Sequence, residues 1–219
     1  MSGLLHVIEN EVQIAALSFL VIVYVVRVIW LLKFTYSKER TFPAGNARAG
    51  AMLSLMNVAM PWAMESTRKR PGFYLQFVIF HIGITATIAA TFIIPYWPNL
   101  LKIKAAVVLF QILIGAALIV GLIRFFRRVL SPSLRLVSSL DDYLSLILLI
   151  LFFASGLLSV PNKYIVNEWP LIIFFALTAL LLVYVPFSKI GHYLYYPFSR
   201  FFLGKTMGHR GVGQRKKID

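Results

Sequence analysis

Five long runs of apolar residues constrain what this chain can fold into. They lie at about 14–32, 73–94, 105–123, 143–160 and 171–187. Each run is long enough, or nearly so, to cross a hydrocarbon core, which takes roughly 20 helical residues. The runs are continuous rather than alternating, which favours helices that satisfy their own backbone over the strands of a barrel. We therefore predict an all-α integral membrane bundle of five transmembrane helices.

The composition excludes an ordinary soluble domain, because 59% of the residues are hydrophobic, only 14% are charged and the mean hydropathy is +0.80. The first run is preceded by Glu9 and Glu11 rather than by basic residues, and no small-residue cleavage site follows it. This pattern predicts a retained first helix rather than a signal peptide.

The distribution of basic residues indicates a topology. A net charge of +14 would suggest nucleic acid in a soluble protein, but the charge here is segregated. The connections after the first and third runs and the segment after the fifth hold eighteen Lys and Arg residues, against three in the other two connections. The positive-inside rule then places the N-terminus outside and the C-terminus in the cytoplasm. Residues 1–203 would form the membrane domain, and 204–219 a basic cytoplasmic tail that contacts lipid phosphate or a partner, without a role for nucleic acid.

A methionine repeat marks the only long connection, residues 33–72. Met52, Met56, Met60 and Met64 recur every four residues, which places them on one face of a helix. Two interpretations are open. The helix could dock a partner protein through an adaptable methionine surface, or it could lie on the lipid headgroups.

Two histidines lie in or beside the apolar runs, His81 in the second and His192 just after the fifth, whereas His6 and His209 lie near the ends. An ionisable residue in a membrane span is a functional candidate, and neutral imidazole is a common axial ligand of haem iron. The alternative is a histidine that hydrogen-bonds across helices or, for His192, a residue of the membrane interface. The chain has no cysteine, so it cannot itself ligate an iron–sulfur cluster through thiolates.

With the predicted topology both histidines lie in the cytoplasmic half of the membrane, as a haem held by two imidazoles requires. Such a haem also needs basic groups near its propionates. The candidates on that side are Arg27, Arg124, Arg127, Arg128 and Lys189. Gly83 and Gly191, close to the histidines, would leave room for a large flat cofactor.

Four motifs occur in order between residues 76 and 201: FHIGI, RRVLSPSLR followed by Asp142, GLLSVP and PFSKIGHYLYYP. This combination resembles the gamma subunit of respiratory nitrate reductase, a five-helix membrane cytochrome b family that also includes heterodisulfide-reductase-like complexes. The resemblance implies that His81 and His192 ligate the haem nearest the cytoplasm. The second histidine pair of that family is replaced by Thr91 and a position near Phe174, so we expect one haem b rather than two.

The resemblance also implies a function. The chain would carry electrons between menaquinone or ubiquinone and cytoplasm-facing iron–sulfur or catalytic subunits in a prokaryotic cytoplasmic membrane, without a complete active site of its own. Because only the inner haem is expected, a quinone site would lie near His81, or a second membrane subunit would complete the path. The main alternative is a haem-free membrane anchor for a peripheral enzyme. A transporter is disfavoured, since the carboxylates are predicted to lie outside the middle of the membrane.

Overall fold

The computed structural model describes residues 2–33, 39–60, 62 and 65–212, and within these ranges all regular structure is helical. The α-helices are α1 (Gly3–His6), α2 (Gln13–Lys33), α3 (Ala47–Ala59), α4 (Glu65–Lys69), α5 (Pro71–Tyr96), α6 (Lys104–Leu130), α7 (Pro132–Leu136), α8 (Leu140–Ser159), α9 (Trp169–Tyr184) and α10 (His192–His209). A π-helical turn, Val7–Val12, joins α1 to α2, and 3₁₀ turns span Pro98–Lys102, Val185–Phe187 and Lys189–Gly191.

Five helical segments are long and apolar enough to cross a membrane: Gly3–Lys33, Pro71–Tyr96, Lys104–Leu130, Leu140–Ser159 and Trp169–Phe187. The all-α class and the number of membrane-spanning helices predicted from the sequence are therefore confirmed. The chain is a multi-pass membrane protein.

The first membrane helix begins earlier than its apolar run. It extends from Gly3, and Ser2 caps it by accepting a hydrogen bond from the Leu5 amide. Glu9, expected before the membrane segment, instead lies in the π-helical turn with only 9% of its surface exposed. Apolar periodicity missed this extension because the segment contains polar residues that a tertiary neighbour covers: Gln13 donates a hydrogen bond to the Phe175 carbonyl of α9.

The helix ends follow from local sequence. Ser139 and Asp142 form a reciprocal capping box at the start of α8. Pro186, which lacks an amide proton, lies in the 3₁₀ turn that ends the fifth membrane helix. Asn162, the one described residue other than glycine with a positive φ, at 49°, lies in the tight turn that follows α8.

The chain divides into two compact units, and residues 1–24 and 74–190 form the first. Its core is aromatic: Phe153, Phe174 and Phe175 are fully buried, and Phe152 stacks on Phe174 with ring centroids 5.4 Å apart. Small residues bring the helices close together, since Gly83 of α5 lies directly against Ala117 of α6. Apolar side chains on the outer faces, such as Ile112 and Leu158, remain more than 60% exposed, as lipid-facing residues do.

Residues 25–73 and 191–219 form the second unit, in which α3 packs against α10 through glycines. A methyl group at Gly50 would approach the Gly204 carbonyl oxygen and the Gly208 Cα to 2.4 Å each. The two backbones are therefore in direct contact. Arg210 of this unit forms an ion pair with Glu39 at 2.9 Å, and its hydrogen bond lowers the pKa of that carboxyl.

Helix α10 continues across the predicted boundary at 203/204. Residues 204–209 are its last turns, with Gly204 and Gly208 buried, whereas 213–219 of the predicted tail lie outside the described residues.

Of the methionine repeat, Met52 and Met56 lie on α3 and Met60 at its end, with 59%, 50% and 37% of their surfaces exposed. Met64 lies outside the described residues.

Candidate functional site

His81 lies on α5 in the first unit, and its ring is oriented by its own helix. Its Nδ1 atom is 2.7 Å from the carbonyl oxygen of Phe77, one turn earlier. A carbonyl oxygen only accepts, so Nδ1 carries the proton and donates. In the neutral imidazole the lone pair is therefore on Nε2, the arrangement that a metal-ligating histidine adopts when its other nitrogen donates to a backbone carbonyl.

Aromatic rings fix the His81 side chain further. The Phe77 ring lies 4.0 Å from the imidazole, centroid to centroid, and the Phe80 ring lies 6.2 Å away edge-on. Phe80 is itself buried and meets Phe153 of α8 edge-to-face at 5.3 Å. The imidazole is thus held between a backbone hydrogen bond and a packed aromatic pair.

Arg124 of α6 is a predicted basic residue that the structure places against the ring of Phe80. Its guanidinium carbon lies 5.2 Å from the centroid of the Phe80 ring, the residue adjacent to His81. In the part of the chain that the structure describes, no carboxylate forms an ion pair with Arg124. A partly buried guanidinium against an aromatic face can bind an anion.

His192 is the first residue of α10 and belongs to the second unit. Its side chain is exposed, and its ring centroid lies 6.4 Å from that of Tyr193. In the same unit Arg27 of α2 donates a 2.8 Å hydrogen bond to the Tyr195 hydroxyl. Arg27 therefore lies against α10, bonded to the residue three positions after His192.

The other predicted basic residues have different surroundings. Arg128 donates a 2.7 Å hydrogen bond to Ser138 and lies 3.6 Å from an Asp142 oxygen. The Lys189 ammonium donates to Asp142 at 2.7 Å and to Ser139 at 2.9 Å. Arg127 is exposed on α6. Two of the five predicted propionate partners are thus committed to a carboxylate of the chain itself.

A carboxylate cluster at the start of α8 was missed by sequence reasoning. Asp141 Oδ1 accepts hydrogen bonds from the hydroxyl groups of Tyr184 and Ser145, and Oδ2 accepts one from the Lys189 amide at 2.9 Å. The neighbouring Asp142 accepts bonds from the Lys189 ammonium and from Ser139. The sequence does contain a local signal, since Ser139 with an acidic residue three positions later is a capping box, but it does not show that Tyr184 and Lys189 come to the same place.

Thr91 and Phe174 are the positions at which the resemblance would place the histidines of a second haem. Phe174 is fully buried on the stacked Phe152 ring, and an added methyl group on Gly156 would meet it at 3.2 Å. Thr91 donates a hydrogen bond to the Ile88 carbonyl of its own helix. Phe174 therefore lies in a packed part of the core, whereas Thr91 is half-buried and bonded within its own helix.

The described residues contain no group of three or more histidine, cysteine or acidic side chains that could hold a metal ion. A haem does not require such a group, because its iron takes only one or two ligands from the protein.

No protein family matches the chain, and no curated protein is significantly similar to it. The resemblance to the nitrate reductase gamma subunit thus depends on the four sequence motifs alone.

Proposed function

We propose that this protein is a membrane cytochrome b subunit that carries electrons through one haem b, with His81 and His192 as axial ligands. The observation that carries the proposal is the 2.7 Å hydrogen bond from His81 Nδ1 to the Phe77 carbonyl. It fixes the tautomer and the ring orientation that iron ligation through Nε2 needs, and it raises the basicity of the ligating nitrogen.

Arg124 is the best-placed of the five predicted propionate partners. It lies against the ring of Phe80, the residue before His81 in the sequence. Among the described residues, no carboxylate forms an ion pair with it. Arg128 and Lys189 are less suited, because their cationic groups already face Asp142. Arg27, bonded to Tyr195, would serve on the α10 side.

When bound, the haem supplies one-electron chemistry, and the chain supplies ligation, burial and charge. Its donor or acceptor in the membrane would be menaquinone or ubiquinone, near His81 or reached through a second membrane subunit. Its partner on the other side would be an iron–sulfur or catalytic subunit facing the cytoplasm. The asymmetry of basic residues supports an outside N-terminus and a cytoplasmic C-terminus. The membrane we propose is a prokaryotic inner membrane.

The test is a reduced-minus-oxidised spectrum of the purified chain with haem quantified per polypeptide. We expect about one b-type haem per chain, lost in His81→Ala and in His192→Ala. His6→Ala is the matched control, because His6 is an exposed histidine near the N-terminus and should keep the full haem content. A six-coordinate spectrum retained in both ligand variants would overturn the assignment.

The competing function is a haem-free membrane anchor for a peripheral enzyme. It predicts a colourless protein whose histidine variants still assemble with their partner. The exposed methionines of α3 would suit such a docking role. The haem content decides between the two functions.

A further inference from the structure

Helices α3 and α10 form an antiparallel pair within the second unit. Gly208 lies at the start of α3, where an added methyl group would be 2.6 Å from the Asn46 carbonyl oxygen. One turn earlier on α10, Gly204 lies directly against Ser54, which is further along α3. Arg200 donates to the Ser54 carbonyl oxygen at 3.3 Å. The two helices therefore run in opposite directions, and each uses one face for the other.

The same unit contains the last turns of the first membrane helix. Arg27 of α2 donates a 2.8 Å hydrogen bond to the Tyr195 hydroxyl, and its guanidinium carbon lies 6.0 Å from the centre of that ring. Helix α2 ends at Lys33, six residues later, which corresponds to about 9 Å along the helix axis. Helix α10 is therefore attached near the end of a membrane helix, so the pair that it forms with α3 lies at the membrane boundary.

The face of α3 that points away from α10 is apolar. Gly50 and Ser54 lie against α10. Met52 and Met56, spaced four residues apart, lie on the other side of the helix with at least half of their surfaces exposed. Leu53 beside them is also about half exposed. An exposed apolar patch of this kind, placed at the membrane boundary, suits contact with a membrane.

Positive charge accompanies this apolar face. Arg48 is exposed and precedes Met52 by four residues, so it continues the same face of α3. The described segments 39–60 and 192–212 contain five Lys and Arg residues but one carboxylate, Glu39, which is paired with Arg210. An acidic protein could also match this charge. Attachment to α2 favours lipid, because headgroups surround the end of every membrane helix, whereas a protein partner has to be brought there.

We propose that the face of α3 formed by Arg48, Met52, Leu53 and Met56 binds anionic membrane lipid. The apolar side chains enter the boundary between headgroups and acyl chains, and Arg48 binds a headgroup phosphate. Of the two roles open to the methionine repeat, contact with lipid is the one that this unit supports. Lipid binding at this surface requires neither haem nor a ligand role for His192.

The test labels one position of α3 in the full-length protein. The chain contains no cysteine, so Met56→Cys can carry an environment-sensitive fluorophore selectively. The labelled protein is placed in nanodiscs of phosphatidylcholine, alone or mixed with anionic phosphatidylglycerol. The readouts are the emission wavelength and the quenching by a nitroxide-labelled lipid. We expect blue-shifted emission and strong quenching in the mixed nanodiscs, and much less of both in phosphatidylcholine alone.

Two matched charge variants and one positional control accompany the label. Arg48→Gln in the labelled protein should lower the ratio of lipid-bound to unbound α3 about fivefold in the mixed nanodiscs, as expected for one cation near an anionic surface. Lys104→Gln removes an exposed cation at the start of α6 instead and should leave the ratio unchanged. Ile112→Cys, on the lipid-facing side of α6, gives the quenching of a fluorophore that lies in lipid in both nanodiscs.

Each outcome decides the question. Quenching at position 56 that requires phosphatidylglycerol and falls in Arg48→Gln, but not in Lys104→Gln, supports the lipid surface. A fluorophore that stays in water with both lipids overturns it and leaves a protein as the partner of the methionine face. Equal quenching with both lipids, unchanged in Arg48→Gln, overturns the preference for anionic lipid.

Discussion

Gly83 and Ala117 bring two membrane helices into contact at a point where no larger side chain fits. A methyl group added to Gly83 would lie 2.1 Å from the Ala117 Cβ and 2.9 Å from the Leu113 carbonyl oxygen. Gly83 is two residues from His81, so this close approach of α5 and α6 lies near the candidate ligand in the sequence. Van der Waals contact between small residues is what holds helices together in lipid.

We expect Gly83→Ala to destabilise the protein by about 1–3 kcal/mol, the usual cost of overpacking. Thermal unfolding of the purified protein in detergent measures this loss. Gly115→Ala is the control on α6, since its added methyl group would meet only Leu157, at 3.9 Å. Equal stability of the two variants would show that α5 and α6 are not packed as closely as the structure indicates.

The glycine contact between α3 and α10 gives a second prediction. Gly208→Ala would place a methyl group 2.6 Å from the Asn46 carbonyl oxygen and 2.7 Å from the Gly50 Cα. Because both obstacles are backbone atoms, the helices must separate. Hydrogen exchange should accelerate in α3 and in the last turns of α10, while Gly72→Ala, with nothing within 4 Å, leaves exchange unchanged.

Histidines placed at positions 91 and 174 should not create a second haem site. In the double variant Thr91→His, Phe174→His, we expect the haem content to stay at about one per chain, because Phe174 lies inside a stacked aromatic core rather than beside a cavity. Phe174→Leu, which keeps the site apolar, serves as the control for stability. A second haem in the double variant would show that the bundle opens far more readily than its packing implies.

The Glu39–Arg210 pair predicts a pH dependence. The hydrogen bond from Arg210 lowers the pKa of Glu39 from its ordinary value of 4.5 in the folded state. The carboxylate then binds fewer protons when folded than when unfolded, so its stabilisation is present above the unfolded pKa and is lost as the pH falls through the lower folded value. Glu39→Gln should be less stable than the wild type at pH 7 and nearly equal to it in strong acid.

Melting curves of the wild type and Glu39→Gln at several pH values check this prediction. Glu65→Gln is the control. Glu65 pairs with Lys69 on an exposed helix face where both side chains are about 70% exposed, and such pairs contribute little. If the melting temperatures of Glu39→Gln and the wild type differed by the same amount at every pH, the assigned role of Glu39 would be contradicted.

Local sequence was sufficient for the parts of this protein that depend on one segment at a time. Continuous apolar runs predicted five helices because a helix satisfies its own backbone within the membrane, whereas the strands of a barrel would alternate. The same reasoning missed residues 3–13 of the opening helix, since Gln13 is compensated by a carbonyl of α9, a partner distant in sequence. The capping box of Ser139 and Asp142 is recognisable in the sequence. The hydrogen bonds of Asp141 with Tyr184 and Lys189 are not.

The sequence by itself determined the membrane class, the helix count and the choice of His81 and His192 as candidates, because these follow from apolar length and the scarcity of histidine. Only the tertiary structure decided that Arg124 lies against Phe80 and that Arg128 and Lys189 already face Asp142. Those properties depend on distances between atoms brought together by helix packing, and neither spacing nor composition specifies them. The placement of Asp141 between Tyr184 and Lys189 is of the same kind: Asp141 meets two residues more than forty positions further along the chain because α8 and α9 are neighbours.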